Sequence, residues 1–204
     1  MKRIVCIVEG HGECEAAPVL CHRVLRTLLD VGEWYVDEDP IRQSRGLMVD
    51  QRVPSPRRPP AQTLHRPLQL AMTRVPDGIL VLCDADDDCP ATWGPAVPAF
   101  VERAERSVPV RGVMASREYE SWLLWAHPHA LRAKVKATNP ESAPRDAKKA
   151  LDRILGGYAP STHQLAQTRA CDLHAIWAAS DSSDKFVRSL ADLVGVAAPT
   201  RPSL

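Results

Sequence analysis

The chain has 204 residues, 45% of them hydrophobic and 25% charged, enough to bury the core of one ordinary domain. With 26 Lys and Arg against 25 Asp and Glu, the net charge of +1 excludes a uniformly basic nucleic-acid-binding surface. No apolar stretch reaches the ~20 residues that cross a bilayer, and six cysteines without zinc-ribbon spacing or a signal peptide fit reduced thiols in a cytoplasmic protein with no membrane partner.

Arg3–Val8 is an apolar, β-branched run of strand length that ends in Glu9-Gly10-His11-Gly12-Glu13. The glycines are expected to allow positive φ and close backbone approach there. Glu13–Leu29 then carries Val19, Val24, Leu25, Leu28 and Leu29 at helical spacing, and Glu33–Asp37 reads as a short strand. The stretch from Arg42 to Arg74 holds seven arginines against one acid, Asp50, and five prolines keep part of it irregular. Such a loop, with Arg57 and Arg58 at its centre, would track a phosphate backbone; a solvated connector or a subunit contact is the alternative. Ala61–Arg74 reads as a helix that closes the segment.

Gly78–Cys83 is the central strand, and it delivers Asp84, Asp86, Asp87 and Asp88 at one exit. Trp93–Arg106 reads as a helix, Val110–Ala115 as a further strand and Arg117–Ala126 as a helix. Beyond Pro128 the strand signals stop. Pro144–Leu155, Cys171–Ala179 and Asp184–Val194 read as helices, punctuated by Pro140 and Gly156-Gly157. Alternating β and α predicts a parallel sheet covered by helices on both faces, residues 1–127 forming an α/β core and 128–204 a helical extension packed on it as one structural domain. An exposed edge strand or the helical tail would each serve a homo-oligomer.

Like charges at roughly 4–6 Å oppose compaction unless a cation sits among them, so the acidic exit reads as a metal site rather than as a merely solvated turn. Carboxylates without paired imidazole or thiolate suit Mg²⁺, with Mn²⁺ as a substitute. An EF-hand over Asp84–Asp88 is excluded, because Cys89 and Pro95 stand where that loop needs Gly and Glu. Chemistry in an open α/β sheet collects outside the carboxyl ends of the strands, where Glu9 and Asp84 both fall. A tight turn cannot aim four acids at one ion, which leaves Asp87 and Asp88 as supporting charges.

Val8-Glu9-Gly10-His11-Gly12-Glu13 followed by Asp84-Ala85-Asp86 resembles the Toprim fold, the catalytic module of topoisomerases, bacterial primases and the overcoming-lysogenization-defect nucleases. Together with Asp86-Asp87-Asp88-Cys89-Pro90-Ala91 and Arg117-Glu118-Tyr119-Glu120-Ser121-Trp122, the pattern is similar to the phage-defence-associated family catalogued as domain of unknown function 4276, over most of the chain. The resemblance implies a Rossmann-like sheet, Glu9 as acid/base or metal ligand, Asp84 and Asp86 as the metal-binding pair, and Glu13 and Glu120 as further ligands. It also implies a lysine after the last acidic motif, for which Lys148 and Lys149 are the candidates unless they are solvated surface. Glu118 is placed lower, since two residues along a helix from Glu120 it points about 200° away.

The function so implied is Mg²⁺-dependent hydrolysis of phosphodiester bonds in DNA or RNA, as an effector of anti-phage defence beside an ATPase partner. A non-catalytic regulatory or assembly subunit keeping the same fold is the alternative, with Glu13 and Glu120 together as the discriminating feature. A haloacid-dehalogenase-type phosphatase would use Asp84-Ala85-Asp86 after its first strand and leave Glu9 unexplained. His11 would touch substrate or metal, or face solvent. Trp122 and Trp125, at three-residue spacing, would pack in the core or stack a base.

Overall fold

The computed structural model describes residues 1–102, 108–127 and 146–203. Its centre is a parallel sheet in the order β2-β1-β4-β5, formed by β1 (Lys2–Val8), β2 (Trp34–Val36), β4 (Gly78–Asp84) and β5 (Val110–Ala115). The short β3 (Ile41–Arg42) pairs with the far end of β1 at Ile7 and Val8. β1 and β4 are the inner strands, and their near-continuous burial explains why both read as unbroken apolar runs.

Alternation along the strands builds two cores. Ile4, Cys6, Val8, Leu80, Leu82, Val113 and Ala115 face one layer of helices. That layer holds α1 (His11–Thr27), α5 (Tyr119–Trp125), α6 (Ala147–Leu155), α7 (Pro160–Ala170), α8 (Leu173–Ala179) and α9 (Asp181–Val194). Val5, Ile7, Ile79, Val81, Cys83 and Met114 face the other. There stand α2 (Arg45–Met48), a 3₁₀ turn at Gln62–Leu64 leading into α3 (His65–Met72), and α4 (Pro90–Glu102). The protein is an α/β fold of Rossmann-like layering with a helical C-terminal portion.

That C-terminal portion shares its core with the sheet: Leu151, Leu173, Ile176, Phe186 and Leu190 belong to the same buried cluster as Ile4 and Leu80. Local chemistry fixes its helix ends. Asp146, Asp172 and Ser180 cap α6, α8 and α9 by accepting from Lys149, Ala175 and Ser183 backbone N–H groups, and Gly156 and Gly195 close α6 and α9 in the left-handed conformation. Among the described residues, no helix is long and apolar enough to cross a membrane.

Several boundaries depart from the sequence reading. α1 begins at His11, so His11 and Gly12 are already helical, and α5 begins only at Tyr119, after Glu118 in extended backbone. α4 starts three residues early, at Pro90, because proline is well placed in a first turn. The end expected at Arg106, the start expected at Pro144 and the break at Pro140 lie outside the described residues. α2, β3 and α7 have no counterpart among the elements expected from the sequence. Trp122 is a core residue, its indole N–H donating to Ser182 Oγ at 2.9 Å, while Trp125 is half-buried at the cluster's edge.

Candidate functional site

β1 and β4 pair in register, with Val8 opposite Leu82, so Glu9 and Asp84 leave the sheet side by side at its carboxyl edge. The Asp84 N–H donates to Glu9 Oε2 at 3.3 Å. Gly10 and Gly12 serve the turn for a reason other than positive φ, since Gly10 sits at φ −95°. A Cβ on Gly10 would collide with Glu13 Oε2, and one on Gly12 would collide with Gln164 Oε1. The turn is bare so that two buried polar side chains can lie against it.

Three carboxylates meet here in the same way. Asp84 accepts from the Tyr119 N–H through Oδ1 at 2.7 Å, Glu120 from the Tyr158 hydroxyl through Oε1 at 3.1 Å, and Glu13 from Gln164 Nε2 through Oε1 at 3.4 Å. The second oxygen of each is not so held. Glu13 Oε2 and Glu120 Oε2 are buried without a hydrogen-bond partner. The Lys148 ammonium lies 3.8 Å from both Glu120 Oε2 and Asp84 Oδ2. Pinning one oxygen and leaving the other open is how surrounding groups orient carboxylates for a ligand.

The electrostatics follow from this packing. Burial, then the charges of Glu13 and Glu120, push the Asp84 carboxyl well above the usual carboxylate range. Burial pushes Glu120 up to about 7 against the pull of Lys148, and it raises Glu9 against the pull of Arg45. Burial opposes the charge of Lys148, but Glu120 and Asp84 outweigh it and raise its pKa. The Tyr158 hydroxyl is held protonated by burial and by the adjacent Glu120.

The acids just beyond Asp84 are satisfied differently. Arg45, from α2, places its guanidinium 3.2 Å from Asp86, 3.5 Å from Glu9 and 2.5 Å from the buried Asp88, and donates to the Asp84 and Ala85 carbonyls. Arg58 adds a second cation 3.6 Å from Asp88, and Arg117 pairs with Asp87 at 3.0 Å. Asp86 is thus near Glu9 but turned to Arg45, and it stands apart from the inner group of Glu13, Asp84 and Glu120.

Lys148 is the lysine that reaches the site; Lys149, one position on, is exposed and pairs with Asp146 at 2.6 Å. His11 and Arg57 are exposed. Much of the arginine-rich segment is spent on local ion pairs, Arg52 with Asp50 and Arg74 with Asp37 and Asp39, so it does not present one basic face. Glu118 corrects the helical-wheel argument: as the N-cap of α5 it is not in helical backbone, and its half-buried carboxyl is raised by burial, with Lys148 pulling it down. Sequence reasoning misses Arg45, Tyr158 and Gln164. Only position could flag them, Tyr158 by the preceding glycine pair and Gln164 by the helix start at Pro160.

Among the described residues, no three His, Cys, Asp or Glu side chains are already drawn together as a ready-made cage for a metal ion. Lys148 and Arg45 now supply the positive charge. The donor chemistry nevertheless fits a hard divalent cation, because the inner group is all carboxylate, with Glu13 and Glu120 buried and each keeping one oxygen outside any hydrogen bond. All six cysteines are free, and Cys83 is buried in β4, away from any such role. Compared with known proteins, the chain matches no family model, no curated protein and no solved structure.

Proposed function

We propose that this protein is a Mg²⁺-dependent nuclease of Toprim type, hydrolysing phosphodiester bonds of DNA or RNA. The observation that carries this reading is the neighbourhood of Glu13, Asp84 and Glu120, each with one oxygen hydrogen-bonded and the other outside any such bond, those of Asp84 and Glu120 facing Lys148 at 3.8 Å, beside Glu9 at the carboxyl edge of adjacent parallel strands. Glu13, Asp84 and Glu120 would hold the cation, with Asp86, now paired with Arg45, as the further candidate ligand. When bound, a hard divalent cation supplies Lewis acidity and neutralises charge on the phosphoryl oxygens. Glu9 accepts the proton of the attacking water at Oε1, the oxygen not engaged with Asp84 and Arg45. Lys148, 3.8 Å from Asp84 and Glu120, offers its ammonium to phosphoryl oxygens at this edge. The resemblance carries the remaining expectation, action in anti-phage defence beside an ATPase partner.

A non-catalytic regulatory or assembly subunit is the second reading, favoured by the basic side chains that already neutralise Glu9, Asp86, Asp88 and part of the inner group. Cleavage of supercoiled plasmid and single-stranded RNA in Mg²⁺ and Mn²⁺, with and without the genomically adjacent protein, separates the two. Metal-dependent cutting abolished by Glu9→Ala and by Asp84→Asn supports the nuclease. Wild type and variants equally inert, with metal binding intact, would leave the subunit reading in its place.

A further inference from the structure

Beside the acids opens a cavity of about 420 Å³ that the proposed chemistry does not yet use, whose lining includes three arginines, Arg45, Arg58 and Arg117, and three acids, Asp86, Asp87 and Glu118. It adjoins the catalytic edge, since Arg45 reaches both into the cavity and to Glu9, 3.5 Å away. Its size falls in the range of small-ligand sites and accommodates a sugar-phosphate unit.

The arginines of this lining are not equally engaged. Arg45 is spent, each of its three guanidinium nitrogens facing a carboxylate or a carbonyl. The contacts of Arg117 run through Nη1 alone, to the Asp86 carbonyl at 3.1 Å and to Asp87 at 3.0 Å. Those of Arg58 run through Nε, to the Val53 carbonyl at 2.8 Å, and through Nη1, to Asp88. Among the described residues this leaves Nε and Nη2 of Arg117 and Nη2 of Arg58 without a partner. Of the acids in the lining, Asp86 and Asp87 already have Arg45 and Arg117, and Glu118 has its Oε2 buried with no hydrogen-bond partner. What the cavity still offers is N–H donors, in the planar form that suits phosphate oxygens.

The backbone also departs from its relaxed form here. Asp86 and Arg117 adopt positive φ, 48° and 62°, and face each other, the Asp86 N–H donating to the Arg117 carbonyl at 2.9 Å. Positive φ is uncommon for a residue with a side chain and persists where surrounding contacts enforce it. Asp30 and Val75 share the conformation, but at turns elsewhere. The paired strain sits where the Arg117 guanidinium enters the lining.

We infer that Arg58 and Arg117 form a clamp for a backbone phosphate of the substrate strand, next to the phosphate that is cut. The inference rests on the nuclease reading for the identity of the strand and on the cavity for its place. Phosphate contacts position a strand without reading its bases, so the clamp binds irrespective of sequence.

The test is fluorescence anisotropy of the full-length protein in EDTA, with labelled single-stranded DNA and RNA oligonucleotides of one sequence, over a salt series. Arg58→Gln and Arg117→Gln are each expected to weaken binding about tenfold and to reduce the slope of log affinity against log salt by about 0.7, the loss of one phosphate contact. Arg52→Gln, on the same segment but paired with Asp50 outside the cavity, is expected to change neither. Arg58→Lys and Arg117→Lys keep the charge and guard against misfolding; with the fork gone they should retain the slope at reduced affinity. The two oligonucleotides show which strand is preferred. Wild-type affinity and slope in both glutamine variants, or no binding of either strand by wild type, would overturn the clamp. Its fate is separable from that of the nuclease: a protein inert toward plasmid and RNA in Mg²⁺ and Mn²⁺ that still loses oligonucleotide binding on these substitutions keeps the clamp and loses the hydrolysis.

Discussion

The inner and outer acids of this site are the same residue types, yet the fold satisfies them in opposite ways. Asp86, Asp87 and Asp88 are met by Arg45, Arg58 and Arg117 at ion-pair distance, and Asp88 is buried in that embrace. Glu13, Asp84 and Glu120 are met by a side-chain amide, a backbone N–H and a hydroxyl, respectively, on one oxygen each, with a single half-exposed lysine between the second oxygens of Asp84 and Glu120. A folded chain that sets three arginines against one group of acids, although Asp88 Oδ1 is still left without a hydrogen bond, and one lysine against the neighbouring group has a use for the less neutralised one. Outer acids hold the loop; inner acids wait for charge.

Breaking the outer group should have the largest effect on folding. Arg45→Ala leaves Asp88, whose side chain is 1% exposed, with only the more distant Arg58 at 3.6 Å, and removes the tie between α2 and the end of β4. We expect a loss of about 3–5 kcal/mol in urea unfolding, the cost typical of removing one partner of a buried ion pair. A loss below about 1 kcal/mol, the worth of an exposed pair, would mean that the two groups are not satisfied differently after all.

Neutralising the inner group should act in the opposite direction. The Glu120 carboxyl, ordinarily near 4.5, titrates near 7 in the folded chain, so between those values the folded protein holds a proton that the unfolded chain has released. Metal-free stability should therefore fall as pH rises from about 4.5 through about 7. Glu120→Gln should flatten that decline and, at about pH 8, stabilise the metal-free protein by on the order of 1–3 kcal/mol, read from melts in EDTA at several pH values. A variant less stable than wild type under those conditions would show that Lys148 already compensates Glu120 in full.

Smaller still are the pins. Tyr158→Phe and Gln164→Leu release Oε1 of Glu120 and of Glu13 without touching a charge. Divalent-metal affinity should fall about 10- to 100-fold, as for other groups that orient metal ligands, with little change in melting temperature. Unchanged affinity would reduce both residues to packing. At the bottom of the scale, Lys149→Ala should alter stability by less than about 0.5 kcal/mol and leave metal binding alone, because its ion pair with Asp146 is exposed; Lys148→Ala supplies the contrast.

The part of the site on the strands is legible in the amino-acid sequence. β1 and β4 are inner parallel strands buried on both faces, so their sequences are continuous apolar runs, and the acids at their ends have to emerge at one edge if the strands are neighbours. Lys148 is legible only as one of two adjacent lysines, and helical geometry sends one inward and the other out. What escapes comes from elements without apolar periodicity. The buried residues of α7 are Gln164 and Thr168, polar side chains that no hydrophobic pattern marks, and Arg45 is one of seven arginines in a segment where its neighbours look alike. The glycine turn stands out in the sequence, but conformational freedom is the wrong reason for it: the backbone is ordinary at Gly10, and what the two glycines supply is room for Glu13 and Gln164.

Calorimetric titration of Mg²⁺ and Mn²⁺ into wild type, Asp84→Asn and Asp87→Asn at about pH 8 addresses the difference between the two groups most directly. We expect saturable binding to wild type and to Asp87→Asn, and its loss in Asp84→Asn. Equal binding by all three proteins, or none by wild type at millimolar metal, would contradict the assignment of the inner carboxylates as a cation site.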